Sequence, residues 1–245
     1  MEFFVLASGS KGNCSVIKTP TTQVIVDCGM SWRYLTNEFA RYQIDYRKSD
    51  ALLITHTHGD HIAQLSRLAE LPKYTTFELP NSNLVEFFRS FMINDLEILP
   101  LPLSHDCAKT TGYVISAQEE KLVYITDTGY LSEKNKQYLK NADYYILESN
   151  HDTVLLLNTD RPNMLKRRIL FDDGHLSNVD CAGILSELIG PATKEIVLAH
   201  LSEEANRPEI AYQTLCEIFS ANGVDYQNIE ITIASQNKSC RGGIL

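Results

Sequence analysis

The chain has 245 residues, 44% of them hydrophobic, which is enough to bury a sizeable core as one layered domain spanning residues 1–245. A formal net charge of −9 excludes a surface that grips nucleic acid all round through a broad basic excess. No run approaches the roughly 20 apolar residues of a membrane span, and Met1-Glu2-Phe3 lacks the basic opening of a signal peptide, so a cytoplasmic protein without membrane contact is expected.

In chain order, apolar runs predict strands near 2–7, 13–18 and 22–27, a helix near 31–42 and a strand at 51–55. Helices near 61–71 and 81–92 follow, then strands near 96–104, 111–118, 121–126 and 143–148. Helices near 162–171, 177–189 and 208–221 and strands near 194–199 and 229–234 complete the series. Strands interleaved with helices in two halves fit an α/β four-layer αβ/βα sandwich with a site at one edge of its two central sheets. No linker, internal repeat or low-complexity tract divides the chain. Cys14, Cys28, Cys107, Cys181, Cys216 and Cys240 form no CxxC pair and read as reduced, mostly buried thiols.

Chemistry concentrates in His56-Thr57-His58-Gly59-Asp60-His61, directly after the apolar run Ala51-Leu52-Leu53-Ile54. At a strand end, residues two apart share a side, so His56 and His58 can close on one ion. Gly59 then permits a tight turn that swings Asp60 and His61 toward a second position. Imidazole and carboxylate without thiolate suit zinc, manganese or iron, and an open N/O shell points to catalysis. A helix cap needs one such group, not four. His105, Asp127 and His200 each sit where a further apolar run ends, as does Asp27 after Val24-Ile25-Val26. Strand ends on one edge of a layered fold converge although far apart in sequence; any one of these residues alone would read as a turn or cap.

The order Asp27, then His56-x-His58-x-Asp60-His61, then His105, Asp127 and His200 resembles the five motifs of the metallo-β-lactamase fold. The resemblance implies two divalent metal ions, the first held by His56, His58 and His105, the second by Asp60, His61 and His200, with Asp127 bridging. It also implies that Asp27 is a buried acid orienting a ligating imidazole. The segments Leu6-Ala7-Ser8-Gly9-Ser10-Lys11-Gly12-Asn13-Cys14, Leu147-Glu148-Ser149-Asn150-His151-Asp152, Gly174-His175-Leu176-Ser177-Asn178 and Leu201-Ser202-Glu203-Glu204-Ala205-Asn206-Arg207-Pro208-Glu209 are similar to the YycJ/WalJ/VicX group of bacterial proteins. That similarity implies a cytoplasmic, metal-dependent 5′-to-3′ exonuclease on double-stranded DNA with a connection to mismatch-repair proteins.

Phosphodiester chemistry gives several residues a role. Two divalent ions about 3.5–4 Å apart clamp a phosphoryl oxygen and lower the pKa of a shared water toward about 7. Asp60 is the candidate to aim that water, and His175 to protonate the leaving 3′-oxygen. Glu148 would hold the other nitrogen of His175, an arrangement resembling that of tRNA 3′-processing members of the superfamily; otherwise the two are caps. His151 is an alternative proton donor or a surface residue. Ser10 and Asn13 lie in a Gly/Ser-rich loop that either approaches a phosphate or is only a turn between strands. Asn206 and Arg207 either reach substrate or precede the helix that Pro208 and Glu209 start. Lys166-Arg167-Arg168 is either a small positive face or a solvated helix face.

Asp127 to His200 is too short an interval for a large inserted domain, so DNA is expected to be gripped by local loops, by a partner subunit in a dimer, or weakly. Two other functions fit the same residues: a small-molecule hydrolase acting on a thioester, lactone or cyclic nucleotide, and a regulatory or repair-complex binding module that retains metal.

Overall fold

Two seven-stranded sheets face one another in the computed structural model, which describes residues 1–243. The first is built from β1 (Glu2–Ala7), β2 (Cys14–Lys18), β3 (Gln23–Val26), β4 (Ala51–Leu53), β5 (Lys73–Thr75), β6 (Ser82–Leu84) and β14 (Cys240–Gly243), in the order β14-β1-β2-β3-β4-β5-β6. The second holds β7 (Phe91–Ile93), β8 (Leu96–Pro102), β9 (Thr111–Ala117), β10 (Glu120–Ile125), β11 (Tyr144–Glu148), β12 (Glu195–Ala199) and β13 (Glu230–Ile233), in the order β13-β12-β11-β10-β9-β8-β7.

Strand alternation explains the layering. In β1, Phe3 and Val5 point into the core between the sheets, where they join Ile98, Tyr113, Tyr124 and Val197 of the second sheet. Phe4 and Leu6 point the other way, against Leu35 and Phe39 of α1 (Trp32–Arg41). On the far face of the second sheet, Tyr145 and Leu198 pack with Leu185 of α6 (Asn178–Leu188) and with Leu215 and Phe219 of α7 (Pro208–Ala221). The result is the αβ/βα sandwich that the element order predicts. All six cysteines are free thiols. No helix of the described residues is long and apolar enough to cross a membrane.

The structure corrects the expected elements at several points. The helix expected at 61–71 is one turn, α2 (Gly59–Ile62), followed by a 3-10 turn at Leu65–Leu68. The ladder is broken by the loop after β3: the Cys28 N–H donates to the His61 carbonyl at 2.7 Å, and the Gln64 N–H donates to the Cys28 carbonyl at 2.9 Å. The helix expected at 81–92 is instead β6 and β7, one on each sheet; Asn81 and Phe88 both take positive φ, and Leu84 is exposed, so no continuous helix with an apolar face exists there. The expected series omits β5 and β14. It also omits α3 (Glu133–Leu139) and α4 (Thr153–Leu157), capped by the side chains of Ser132 and Asp152. α5 (Asn163–Leu170) falls inside its expected bounds.

The parallel strands β3 and β4 of one sheet, and β10, β11 and β12 of the other, send their C-terminal ends to a common edge. Asp27 and His200 directly follow β3 and β12, Asp127 follows β10 after one residue, Thr126, and all three take left-handed backbone with φ of 59°, 60° and 56°. Asp and His are among the few non-glycine types that tolerate this region, and tight packing holds them there.

Candidate metal centre

The segment after β4 delivers four side chains at once. His56 lies in the loop after the strand, His58 occupies the N-cap position of α2 in extended backbone without a capping side-chain hydrogen bond, and Asp60 and His61 lie in the helix's single turn. This turn is braced from two sides: the Asn13 N–H donates to the Asp60 carbonyl at 2.8 Å, and Gly29 packs so closely that a Cβ there would sit 1.5 Å from the same oxygen. The Asn13 side chain is also buried, with its Nδ2 3.4 Å from Asp60 Oδ2 and 2.9 Å from His61 Nε2. Gly59, by contrast, has no positive φ and open space where a Cβ would go, so the turn does not depend on its missing side chain.

Four imidazoles are anchored through Nδ1, which leaves Nε2 for other partners. Thr55 Oγ1 lies 3.0 Å from His56 Nδ1 and donates its own proton to Asp27 Oδ2 at 2.9 Å. His61 Nδ1 is 2.7 Å from Asp27 Oδ2, His105 Nδ1 is 3.1 Å from the Gly174 carbonyl, and His200 Nδ1 is 2.8 Å from Glu148 Oε1. Holding the remote nitrogen to an acceptor fixes both ring orientation and tautomer, as metal-binding imidazoles require. The rings of His56, His58 and His105 surround one point, with centroids 4.6, 5.1 and 5.3 Å apart. Ligand atoms of His56, His58 and His105 lie within 4.8 Å of one another, as do those of Asp60, His61 and His200, and of His56, His61 and Asp127. Nε2 of His56 is buried with no hydrogen-bond partner among the described residues, and Nε2 of His200 and Oδ2 of Asp127, also buried without a well-formed hydrogen bond, face Asp127 Oδ1 at 3.5 Å and His61 Nε2 at 3.2 Å. Converging orphaned donors of this kind fit divalent cations, because an unpaired buried polar atom is otherwise costly.

Electrostatics of the protein's own groups point the same way. Burial pushes His56 down to about 2, reinforced by the charge of His61. At His200, burial is outweighed by the Asp127 charge and the hydrogen bond to Glu148, which carry it up to about 9. At Asp127, burial is outweighed by His200 and His61, so its carboxyl stays well below the usual range.

Glu148 ends β11 fully buried. Its Oε1 accepts from His175 Nδ1 at 2.7 Å as well as from His200, and Oε2 accepts the backbone N–H of Thr128 at 2.9 Å and of Leu176 at 3.3 Å. His175 is one-fifth exposed and faces a cleft of about 450 Å³. His151 is not a surface residue: it is 1% exposed, burial pushes it to about 4, and neither ring nitrogen has a hydrogen-bond partner among the described residues.

Of the four residues expected near substrate, only Ser10 lies on the cleft wall with His105 and His175. Asn13 is buried, as described. Asn206 is also buried, its amide donating to the carbonyls of Ser149 and Asn150 and to Asn178 Oδ1. Arg207 lines a separate cavity with Pro208 and Gln236. Sequence reasoning passed over Thr55, Asp106, Arg161 and the Gly174 carbonyl. Asp106 Oδ1 lies 3.3 Å from His105 Nε2 and 3.7 Å from His58 Nε2. Thr55, Asp106 and Gly174 are chain neighbours of residues already singled out, which is the one signal that could have found them.

A family model described as the beta-lactamase superfamily domain matches residues 22–201. The chain is 34% identical over 239 residues to "Exodeoxyribonuclease YycJ" of Bacillus anthracis, covering 91% of this chain and 90% of that one. It is 34% identical over 232 residues to "Exodeoxyribonuclease WalJ" of Streptococcus pneumoniae, covering 87% and 86%. The solved structure of the metallo-beta-lactamase fold protein YhfI from Bacillus subtilis superposes with a TM-score of 0.74 at 18% identity, over 98% of this chain and 99% of that one, a likeness of fold alone.

Proposed function

Because the chain belongs to the β-lactamase superfamily of metal-dependent hydrolases, we propose that it is an exonuclease that degrades double-stranded DNA from 5′ ends. The observation that carries this reading is the setting of His175, tied through Nδ1 to a buried carboxylate at 2.7 Å while its ring opens onto the cleft beside the clustered imidazoles. A tethered imidazole open to solvent is suited to hand a proton to a leaving oxygen. The relatives named exodeoxyribonucleases support DNA as the substrate, and the direction of digestion is that of the group the sequence motifs resemble. The same resemblance implies mismatch-repair proteins as partners and the cytoplasm as compartment.

Two divalent ions, zinc, manganese or iron, would be held by His56, His58 and His105 and by Asp60, His61 and His200, with Asp127 between them. When bound they supply charge that polarises the phosphodiester and lowers the pKa of a water toward about 7. Asp60 stays ionised, because burial is outweighed by its hydrogen bond to His61 and by the charge of that ring. It can therefore accept a hydrogen bond from the attacking water and aim it in line with the leaving group. As the P–O bond breaks, His175 gives its proton to the 3′-oxygen. Glu148 orients the imidazole; burial of this carboxyl is outweighed by the His175 charge and hydrogen bond, which hold it at about 2.

Digestion of end-labelled linear duplex DNA, with and without Mn²⁺, tests the reading against Asp60→Asn and His175→Ala. Stepwise release of 5′-mononucleotides that vanishes with Asp60→Asn and drops with His175→Ala is the expected result. Metal-loaded wild type that leaves DNA intact but turns over a thioester, lactone or cyclic nucleotide would overturn the substrate while leaving the metal centre standing.

A further inference from the structure

The cleft beside the metal centre has a construction that proton transfer does not require. His105 and His175 form its inner wall, while Leu165 and Ile169 of α5 line it with apolar side chains. Two guanidiniums complete the lining: Arg161, just before α5, and Arg168, in its last turn. Each is held by a carboxylate that also lines the cleft. Arg161 Nε donates to Glu204 Oε2 at 2.7 Å, and Arg168 pairs with Asp106, whose other oxygen lies 3.3 Å from His105 Nε2.

These pairs add little to stability, since Glu204 is 64% and Arg168 55% exposed. They do fix where the guanidiniums point. An arginine carries five N–H donors in a planar fork, and Arg161 gives only Nε to its carboxylate, so donors remain for a second anion. In a chain of net charge −9, the two arginines share the cleft lining with three carboxylates, Asp106, Asp173 and Glu204, so what the cleft offers an anion is directed N–H donors and not a net positive surface.

Resting on the exonuclease reading, we propose that Arg161 and Arg168 grip the substrate strand beside the scissile bond, each binding a backbone phosphate, while Leu165 and Ile169 pack against the intervening sugar or base. The arginines are substrate-positioning residues. Their recognition is of phosphodiester backbone and not of base identity, as exonuclease digestion of any sequence requires.

The test uses metal-loaded holoenzyme and compares two substrates, 5′-end-labelled duplex DNA and bis(p-nitrophenyl) phosphate, a diester with no neighbouring phosphates. Arg161→Ala and Arg168→Ala are each expected to lower the ratio of kcat/KM on DNA to kcat/KM on the small diester by about tenfold or more, because a hydrogen bond to a charged group is lost. The plot of log kcat/KM on DNA against log salt concentration should become shallower by about 0.9 for each phosphate contact removed. Arg168→Lys should keep most of the salt slope while recovering only part of the rate. Lys48→Ala makes the same change in net charge at the other end of β4 and should move neither quantity. A double variant Arg161→Ala/Arg168→Ala with an unchanged ratio and unchanged salt slope, on an enzyme whose wild type degrades DNA, would overturn this inference alone. A wild type that cleaves the small diester but not DNA would overturn both this inference and the exonuclease reading.

Discussion

Replacing Glu148 with glutamine keeps the side chain's shape and removes half of its accepting capacity. The carboxylate accepts two imidazole N–H groups on Oε1 and two backbone N–H groups on Oε2, at 2.7, 2.8, 2.9 and 3.3 Å. A glutamine has one oxygen, so its NH₂ must face one of these pairs of donors. With the oxygen toward the histidines, the N–H groups of Thr128 and Leu176 are stranded at about 1–3 kcal/mol each, a loss of about 2–6 kcal/mol. With the oxygen toward the backbone, His175 and His200 must switch tautomer to accept from the amide. Nε2 of His200 then carries a hydrogen and cannot bind a cation, which should lower metal affinity at least 10–100-fold. The assay pairs urea denaturation of chelator-treated protein with a chelator-competition titration of metal affinity, so either escape is caught by one of the two. A Glu148→Gln protein within about 0.5 kcal/mol of wild-type stability and within a few-fold of its metal affinity would refute the reasoning. The pH dependence has a defined sign: the carboxyl falls from an ordinary 4.5 to about 2 in the folded state, where charge from His175 outweighs burial. Its stabilisation is therefore complete above pH 4.5 and is lost as pH falls toward 2, the window in which wild type and variant should converge.

Asp27→Ala removes the 2.7 Å partner of His61 Nδ1 and should weaken metal binding about 10–100-fold, measured by the same competition titration. Gly29→Ala forces a Cβ to within 1.5 Å of the Asp60 carbonyl oxygen and should cost more than about 4 kcal/mol in denaturation, or leave no folded protein. Gly59→Ala meets nothing within 4 Å at a helical position and should leave stability unchanged or raise it by up to about 1 kcal/mol. In chelator-stripped protein the His200 imidazole sits at about 9, where Asp127 and Glu148 outweigh burial, so its share of stability is present below pH 6.5 and lost as pH rises to 9. Metal binding at pH 7.5 should accordingly release at least one proton, a number read by calorimetry in buffers of different ionisation enthalpy.

The clustered residues were legible because each stands at the end of an apolar run, and a layered fold gathers such ends on one edge. His105, Asp127 and His200 needed no knowledge of register, only the inference that β-strands precede them. What was hidden depends on groups distant in sequence. The failed helix at 61–71 has adequate local periodicity, and nothing near it announces that Cys28 takes the His61 carbonyl and supplies a carbonyl to Gln64. Ser82-Asn83-Leu84 carries no strand alternation because β6 is an edge strand whose pairing partner β5 determines its conformation. Asn206 looks like a ligand-facing amide in sequence yet satisfies buried backbone groups, while the Asn13 amide donates to the Gly9 carbonyl and lies against His61 Nε2 and Asp60 Oδ2 from inside the fold, uses of asparagine that only the packed structure distinguishes.

The left-handed backbone at Asp27, Asp127 and His200 joins these two kinds of information. Sequence marks the three positions as strand ends bearing polar side chains, and it is silent on φ. A chain leaving a strand by a left-handed residue turns sharply, so the side chain at the bend projects over the edge of the sheet instead of continuing the alternation of its faces. Three strands from two sheets use this device, at φ of 59°, 60° and 56°, and their side chains meet at one site. Glycine would adopt the bend more readily but brings no ligand, and most other residues would carry the strain without the chemistry. Asp27, Asp127 and His200 thus use residue types that tolerate the bend and also supply the acceptor or donor atom, which is why these positions combine backbone and functional constraints in a single residue.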